Sequence, residues 1–228
     1  DPQNSITRTY IRYSSNGHNW TDYTINDPNI VLNALSYDNS GTGTYVAVGN
    51  YIIDSKDTSG CIITSSNLVS WSQPAYISNL TNLSAITNGD NIFVAIGKDG
   101  SGNYYFVNNS DPIINEWSLF DISFNNGILN SVAYSNNVFW AVGADYTLNT
   151  DCIVYASISQ ILGETSNQNN YLNLNLSFKQ DGNLLSFKQN GNLLSITSDI
   201  SHNLIAVGSY NDVIDGNSIS TGYSAYYD

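Results

Sequence analysis

The sequence predicts an all-β protein, a β-propeller of four-stranded antiparallel blades, with about four blades in this chain of 228 residues. Turn-forming residues are abundant, with 34 Asn, 31 Ser and 17 Gly. Their side chains bond the nearby backbone or tolerate positive φ. Tyr, Ile, Val, Thr and Phe fill the segments between these turns, whereas strong helix formers are scarce. One apolar motif recurs four times, at the spacing of propeller blades.

The recurring motif is an aromatic or apolar residue, an apolar residue, Ala, an apolar residue and Gly. The Gly indicates a bend or a close approach of two backbones. A short apolar segment precedes each copy, and a polar loop with a third apolar segment follows it; a fourth segment begins at Trp71 and at Trp117. Four short strands in a repeat of about 45 residues indicate a propeller blade. The copies are residues 45–49 (YVAVG), 93–97 (FVAIG), 139–143 (FWAVG) and 204–208 (LIAVG).

These repeats divide a single propeller domain, or a piece of one, into five parts. The parts are an outer half-blade at 6–26, blades at 27–77, 78–124 and 125–185, and three inner strands of a blade at 186–228. The blade at 125–185 has a long loop. Residues 177–185 recur almost unchanged as 186–194, and we place this duplication in the connection between two blades, where extra length is tolerated.

The two ends of the chain leave the total number of blades open. The last strand predicted within 9–26 could complete the final blade and close a four-bladed ring, with one strand left over. Alternatively, the chain is part of a larger propeller of about six to eight blades, completed by further blades or by another chain. Because an open blade exposes sheet edges, which proteins avoid, we favour the larger propeller.

The charge of the chain and the length of its apolar runs each exclude one class of partner. Six Lys and Arg against 19 Asp and Glu give a formal net charge of −13, whereas nucleic acid binding needs basic side chains for the phosphates. No apolar run approaches the roughly 20 residues that span a bilayer, so we expect no membrane insertion.

Cys61 and Cys152 precede the third strand in two different blades, at equivalent positions. Positions two blades apart exceed the roughly 7 Å that a disulfide can span between Cα atoms. We therefore expect two buried free thiols.

One seven-residue segment carries a family resemblance. Residues 14–20 (SSNGHNW) resemble the Asp-box (BNR) repeat, Ser-x-Asp-Gly-x-x-Trp, of sialidase-like and photosystem-assembly-like propellers. Residues 65–71 (SSNLVSW) keep its spacing without the Gly, and residues 109–117 are a stretched version. Asn replaces Asp in the recognisable copies and keeps a side chain that caps the turn. The resemblance implies a hairpin between the third and fourth strands, with its Trp packed between blades, as a structural and not a catalytic element.

The catalytic residues of sialidases are not found in the sequence. A sialidase clamps the substrate carboxylate with a cluster of arginines and uses a Tyr–Glu pair, whereas here the arginines are Arg8 and Arg12 and there are two glutamates. No phosphate loop or dinucleotide fingerprint occurs. We therefore expect that the protein is not an enzyme.

Acidic residues concentrate in the predicted loops between second and third strands, which a propeller presents on one face. These loops are residues 50–59, 98–102, 144–151 and 209–221. Their carboxylates could form a ring that binds Ca²⁺, sugar hydroxyls or a basic partner, with tyrosines beside them to stack on sugars. The alternative is that solvated Asp simply collects in loops. The candidate ligand-binding residues are Asp54, Asp57, Asp99, Asp145, Asp151, Asp212, Asp215, Tyr51, Tyr146 and Tyr210.

The sequence thus predicts a non-catalytic binding or structural module whose acidic loop face recognises a carbohydrate or a protein. We expect an extracellular location, at a cell or virion surface, and no cofactor, with Ca²⁺ as the one ion that the loops could hold. The alternatives are an assembly or capsid-type component, or a glycoside hydrolase-like enzyme. The hydrolase would need two carboxylates about 5–10 Å apart in a deep pocket.

Overall fold

The computed structural model shows a chain composed almost wholly of antiparallel strands. It describes residues 9–38, 43–112, 116–148, 150–163, 171–172, 178–180, 183–185, 191–198, 204–214 and 217–227. For the strands within 171–185, for Gly191 and for residues 210–227, the backbone alone is described.

The first half of the chain forms a hairpin and two four-stranded sheets. The N-terminal hairpin comprises β1 (Tyr10–Tyr13) and β2 (Thr21–Thr24). Sheet I comprises β3 (Ile30–Tyr37), β4 (Tyr45–Ile52), β5 (Thr58–Ser65) and β6 (Ala75–Ile77). Sheet II comprises β7 (Asn82–Gly89), β8 (Ile92–Lys98), β9 (Tyr104–Asn109) and β10 (Ser118–Phe124).

The second half forms two more sheets. Sheet III comprises β11 (Gly127–Ser135), β12 (Val138–Asp145), β13 (Thr150–Ser157) and β14 (Tyr171–Leu172), with the one-turn helix α1 (Ile158–Ile161) after β13. Sheet IV comprises β15 (Phe178–Gln180), β16 (Asn183–Leu185), β17 (Gly191–Ser198), β18 (Leu204–Ile214) and β19 (Asn217–Tyr227). In sheets I to III the strands follow one another in chain order, and every pairing is antiparallel.

The order of strands in sheet IV differs from that of the other sheets. Its order is β16-β15-β19-β18-β17, so β15 pairs with β16 and also with β19. Both β15 and β16 come from the first copy of the duplicated nine residues, so the described part of this copy lies at the outer edge of sheet IV and not in a connection between sheets. This pairing covers an edge that β19 would otherwise expose. The blade limits predicted from the sequence remain a prediction.

The sheets stack face to face, and the core lies between them. We call β3, β7, β11 and β17 the first strands of sheets I to IV, and β4, β8, β12 and β18 their second strands. The first strands of successive sheets contact one another, β3 with β7, β7 with β11 and β11 with β17. One buried cluster lies between sheets I and II, a second between sheets II and III, and a third between sheets III and IV. A fourth cluster joins sheet I to the N-terminal hairpin through Ile11 and Ile25.

A β-bulge recurs in the first strand of all four sheets. The register shifts by one residue at Asn33, Ser84, Asn130 and Leu194, beside the Gly of the repeated motif in the second strand. A Cβ added at Gly49 would overlap the carbonyl oxygen of Val31, and one at Gly143 would overlap that of Ile128. These two glycines let the bulged backbone approach, as the motif predicts.

Both cysteines are buried free thiols, which confirms that prediction. They occupy equivalent positions, since Cys61 lies opposite Gly49 and Cys152 opposite Gly143. Burial raises the pKa of both thiols, that of Cys61 to about 12. Both are therefore protonated near neutral pH. Within the described part of the chain, no helix has the length and apolarity needed to cross a membrane.

Substituting Gly49 tests the role of the bulge. Because the added Cβ of Gly49→Ala meets backbone, which cannot move without breaking the bulge, we expect a loss of about 3 kcal/mol in the free energy of unfolding. Gly100→Ala is the matched control, since its Cβ would lie 3.8 Å from the nearest atom, Cγ2 of Thr81, and should cost under about 0.5 kcal/mol. Urea unfolding measures both variants, and equal midpoints would contradict the role given to the bulge.

Candidate functional site

Two Ser-x-Asn-x-x-x-Trp turns, at residues 14–20 and 65–71, have the same hydrogen bonds. In the first, Oγ of Ser14 accepts from the backbone N–H of Gly17 at 2.9 Å, and Oδ1 of Asn16 accepts from those of His18 and Asn19 at 2.9 and 2.8 Å. Nε1 of Trp20 donates to the Gly17 carbonyl at 3.2 Å. These side-chain bonds satisfy the backbone of a tight turn without charge.

The second turn repeats this network with a different residue at its fourth position. Oγ of Ser65 accepts from Leu68 N–H at 2.9 Å, Oδ1 of Asn67 accepts from two further N–H groups, and Nε1 of Trp71 donates to the Leu68 carbonyl at 3.3 Å. Gly17 has φ +73° and Leu68 has φ 62°. The second turn therefore keeps the left-handed backbone although it lacks the Gly, at a conformational cost that a non-glycine residue must bear.

The two Trp side chains differ in their surroundings. Trp20 is exposed, so the expectation that this Trp packs between blades is wrong, because the turn that holds it lies at the tip of the N-terminal hairpin. Trp71 is half-buried against the cluster that joins this hairpin to sheet I. The same motif thus gives one solvated and one packed indole.

An open groove of about 470 Å³ lies between the N-terminal hairpin and the outer edge of sheet I. We call it the Trp71 groove. Ile25, Ile30 and Ile63 of the buried cluster contribute to its lining, and two prolines, Pro28 and Pro74, stiffen its rim. Its aromatic lining residues are Tyr23, Trp71 and Tyr76, and its polar ones are Asn26, Asp27, Ser72 and Gln73.

Tyr76 is the most exposed aromatic side chain of the groove, and its position is supported by the ring of Tyr51. Its ring packs on that of Tyr51, with ring centroids 4.9 Å apart, and the Tyr51 hydroxyl accepts from Nδ2 of Asn29 at 3.3 Å. Partial burial, then the neighbouring Tyr51 and Cys61 and the charge of Asp27, raise the pKa of Tyr76. The phenol therefore stays protonated at neutral pH and can donate a hydrogen bond.

A second, shallower depression of about 360 Å³ shares Trp71 and Ser72 with the groove. Hydroxyl groups supply the rest of its lining, from Thr44, Thr64, Ser65, Ser66 and Ser70. Trp71 thus lies at the junction of the two depressions.

The structure places nine of the ten predicted binding residues in loops or on strands. Asp54, Asp57, Asp99 and Tyr146 lie in loops between second and third strands, as predicted. Tyr51, Asp145 and Asp151 lie on strands instead, because β4, β12 and β13 extend further than the sequence indicates. Tyr210 and Asp212 belong to the long β18, where the backbone alone is described, and Asp215 lies outside the described residues.

The carboxylates of three predicted residues already have hydrogen-bond partners within their own loops. Asp54 accepts from the N–H groups of Lys56 and Asp57, and Asp145 accepts from those of Thr147 and Leu148. Asp99 accepts from Ser101 and Asn103 N–H, from Nδ2 of Asn103 and from the Tyr105 hydroxyl. These bonds, the one from the Asn103 side chain above all, lower the pKa of Asp99. Asp145 and Asp151 are buried, and the described residues contain no group of three His, Cys, Asp or Glu that could hold a metal.

The sequence reasoning missed the residues of the Trp71 groove. The Ser-x-Asn turn did mark Trp71, but its partners Tyr23 and Asp27 come from a hairpin and linker that precede sheet I in the chain. No local pattern announces that contact.

Comparison with known proteins identifies the fold. No family model and no curated protein matches the chain. A protein of unknown function from Dyadobacter fermentans DSM 18053 superposes with a TM-score of 0.61 at 12% identity, covering 96% of this chain and 63% of its own. The periplasmic gluconolactonase PpgL of Pseudomonas aeruginosa has a TM-score of 0.52 at 9% identity, covering 97% and 68%. A Trypanosoma rangeli sialidase in complex with 2,3-difluoro-KDN has a TM-score of 0.50 at 8% identity, covering 96% and 37%.

These likenesses confirm the predicted fold class: the chain is an all-β protein of the propeller type. Its described residues form three four-stranded antiparallel sheets and one of five strands, and these sheets do not close into a ring. The chain spans less than two thirds of the length of the Dyadobacter protein and of the sialidase. At such identities the likeness shows the fold alone.

Exchanging the residues at the fourth turn position tests the left-handed backbone. Leu68→Gly removes the cost of a side chain at positive φ, so we expect a gain of about 0.5–1 kcal/mol in the free energy of unfolding. Gly17→Ala imposes the same backbone cost, and no atom lies within 4 Å of the new Cβ. Its free energy of unfolding should therefore fall by about 1 kcal/mol. Thermal or urea unfolding measures both, and a loss on Leu68→Gly would show that the Leu68 side chain contributes more than its backbone costs.

Proposed function

We propose that this chain is a non-catalytic propeller module that binds a carbohydrate in the Trp71 groove, at a cell or virion surface. The observation that carries the proposal is the lining of the groove: three aromatic side chains beside amides and hydroxyls, with Asp27 as the single carboxylate among its described lining residues. The glycan is the proposed partner, and no cofactor is needed.

Aromatic and polar groups suit a sugar for complementary reasons. The flat rings of Trp71 and Tyr76 offer apolar faces for the C–H side of a sugar ring, while the Tyr76 hydroxyl remains available to a sugar hydroxyl. Asn26 and Gln73 are exposed amides that both donate and accept. Most of the groove surface is polar, and these polar groups give orientation and specificity to a ligand that stacks on the rings. The adjoining depression extends this surface with hydroxyl groups.

The lining also supports a binding role over hydrolysis. Glycoside hydrolysis needs a pair of carboxylates on either side of the scissile bond, and Asp27 has no second carboxylate beside it among the described lining residues. The Asp27 carboxylate also accepts from Asn29 N–H at 2.9 Å, which fits a turn-capping role. Arg12, an arginine that could have clamped an acidic sugar, instead holds Asp22 with bonds of 2.6 and 2.9 Å.

The acidic loop face is the weaker location for this ligand. Its carboxylates at Asp54, Asp99 and Asp145 cap their own loops, so binding Ca²⁺ or a sugar there would cost the hydrogen bonds that shape the loops. Tyr146 is exposed on that face and remains a candidate for stacking. We therefore assign the glycan to the groove and keep Tyr146 as the comparison site.

We further propose that the turns at 14–20 and 65–71 are members of the Asp-box family, with Asn in place of Asp. The shared Ser, Asn and Trp hydrogen bonds and the left-handed fourth residue support this. In this proposal the second turn has a double role, because the bond from its indole to the Leu68 carbonyl fixes Trp71 in the groove.

Tyr76→Ala and Tyr146→Ala together locate the site. The purified chain is first screened against a glycan array with Ca²⁺ and again with EDTA, and the best hit is titrated by calorimetry. We expect binding in both conditions, a loss of about tenfold, equal to about 1.4 kcal/mol, on Tyr76→Ala, and no change on Tyr146→Ala.

An unfolding curve for each variant controls for loss of the fold, since Tyr76 also packs on Tyr51. Binding lost only in Tyr146→Ala, or only in EDTA, would move the site to the acidic loop face. Silence of the whole array would contradict carbohydrate binding.

A further inference from the structure

Four aliphatic residues at equivalent positions lie on the backward face of their sheets, by which we mean the face toward the preceding part of the chain. Each lies on the first strand, opposite the Ala of the repeated motif, and they are Leu35, Ile86, Val132 and Ile196. The last three are at most 8% exposed, because the preceding sheet covers them. Leu35, in the first sheet, is 44% exposed.

Four other residues at equivalent positions lie on the forward face of their sheets, by which we mean the face toward the following part of the chain. Each lies on the second strand, opposite the residue that follows the bulge, and they are Val48, Ile96, Val142 and Val207. The first three are fully buried, whereas Val207, in the last sheet, is 45% exposed. Leu194, the bulge residue of sheet IV, is exposed as well.

The forward and backward residues meet at every internal interface. Val48 and Ile86 share the cluster between sheets I and II. Ile96 and Val132 share the next cluster, and Val142 and Ile196 share the third. By the same pattern, a residue equivalent to Leu35 is the expected partner of Val207. A residue equivalent to Val207 is the expected partner of Leu35. The chain presents both halves of its own repeated interface, each uncovered.

We propose that a second copy of this chain docks head to tail, with sheet IV of one copy stacked on sheet I of the other through Val207 and Leu35. The contact is heterologous, because two different surfaces meet, and it occurs twice when two copies close into one ring. It repeats an interface that the chain already forms three times between its own sheets.

The N-terminal hairpin limits which part of the face is available. Ile11 and Ile25 of this hairpin region pack on Ala47, Cys61 and Ile63 and cover the outer part of the backward face of sheet I. The uncovered part, around Leu35 and the exposed Tyr37, lies on the first strand. The partner copy therefore contributes its inner strands, β17 and β18, which carry Leu194 and Val207.

At each internal interface the bulge residue makes a polar contact with the next sheet. At the proposed interface between copies, the bulge residue is apolar. The bulge residue of each sheet donates to the backbone carbonyl of the next sheet: Asn33 to Leu83 at 2.9 Å, Ser84 to Leu129 at 3.4 Å and Asn130 to Leu193 at 2.7 Å. In sheet IV the bulge residue is Leu194, which has no polar side-chain atom. An Asn at this position would restore a donor for the Leu32 carbonyl of the partner copy.

Sedimentation equilibrium on the full chain, with paired variants, tests the proposal. The two copies carry a formal net charge of −13 each, so the runs use about 1 M NaCl, where the Debye length is about 3 Å. Concentrations run from about 1 μM to about 100 μM, which brackets a micromolar Kd. We expect the mass to rise to that of two chains, and Leu194→Asn to tighten the association several-fold.

Leu35→Asp and Val207→Asp provide the decisive comparison. Each variant alone should associate at least tenfold more weakly, because every contact then contains one Asp. In an equimolar mixture one contact joins the intact Val207 face of one variant to the intact Leu35 face of the other, while the second contact brings the two Asp residues together. We therefore expect mixed pairs held by the single intact contact, which form more strongly than pairs of either variant alone and more weakly than pairs of the unchanged chain. Leu119→Asp, at an exposed leucine on the outer strand β10, is the control and should associate like the unchanged chain.

A chain that stays monomeric over the whole range would overturn the proposal. So would single variants that associate like the unchanged chain, or a mixture that does not exceed either variant alone. Unfolding midpoints of the two Asp variants separate loss of contact from loss of fold. None of these outcomes depends on carbohydrate binding, so the proposed function and this contact fail independently.

Discussion

The packing of one aliphatic residue on another between neighbouring sheets is the interaction on which the rest of the structure depends. Val48 and Ile86 belong to one buried cluster, Ile96 and Val132 to a second, and Val142 and Ile196 to a third. Burying such a side chain contributes about 1.5–3 kcal/mol, so each sheet is stabilised by every neighbour that covers one of its apolar faces. The sheets therefore stabilise one another, and sheets I and IV each have one face that no neighbouring sheet covers.

The bulge and its glycine set how closely those faces approach. Because the bulge inserts one residue into each first strand, that strand bends, and its extra side chain points at the neighbouring sheet. At Asn33 and Asn130 this side chain bonds the neighbouring backbone, so the same irregularity that bends the strand also ties two sheets together. The N-terminal hairpin covers part of the first sheet in a different way, and its edge creates the Trp71 groove.

The sequence predicted the repeated features and missed those that depend on a single contact. The motif has four copies, of which residues 45–49 are the first, so the role of its Gly could be predicted from the sequence. Ligand binding by Asp99 and Asp145 stays a prediction, and composition does not reveal that each carboxylate caps its own loop. The Trp71 groove could not be predicted, since Tyr23 reaches Trp71 through packing of the hairpin on sheet I. The exposure of Leu35 was equally hidden, because its repeat looks like the buried ones.

Amide hydrogen exchange of the second strands tests the dependence of each sheet on its neighbours most directly. These strands are central in their sheets and have the same backbone pairing, so differences in exchange report packing. At concentrations where the chain is monomeric, we expect β8 and β12, covered on both faces, to exchange at least about tenfold more slowly than β18, which is covered on one, with β4 between them. Equal protection of β18 and β12 would contradict the account, because it would mean that both faces of the last sheet are covered within one chain.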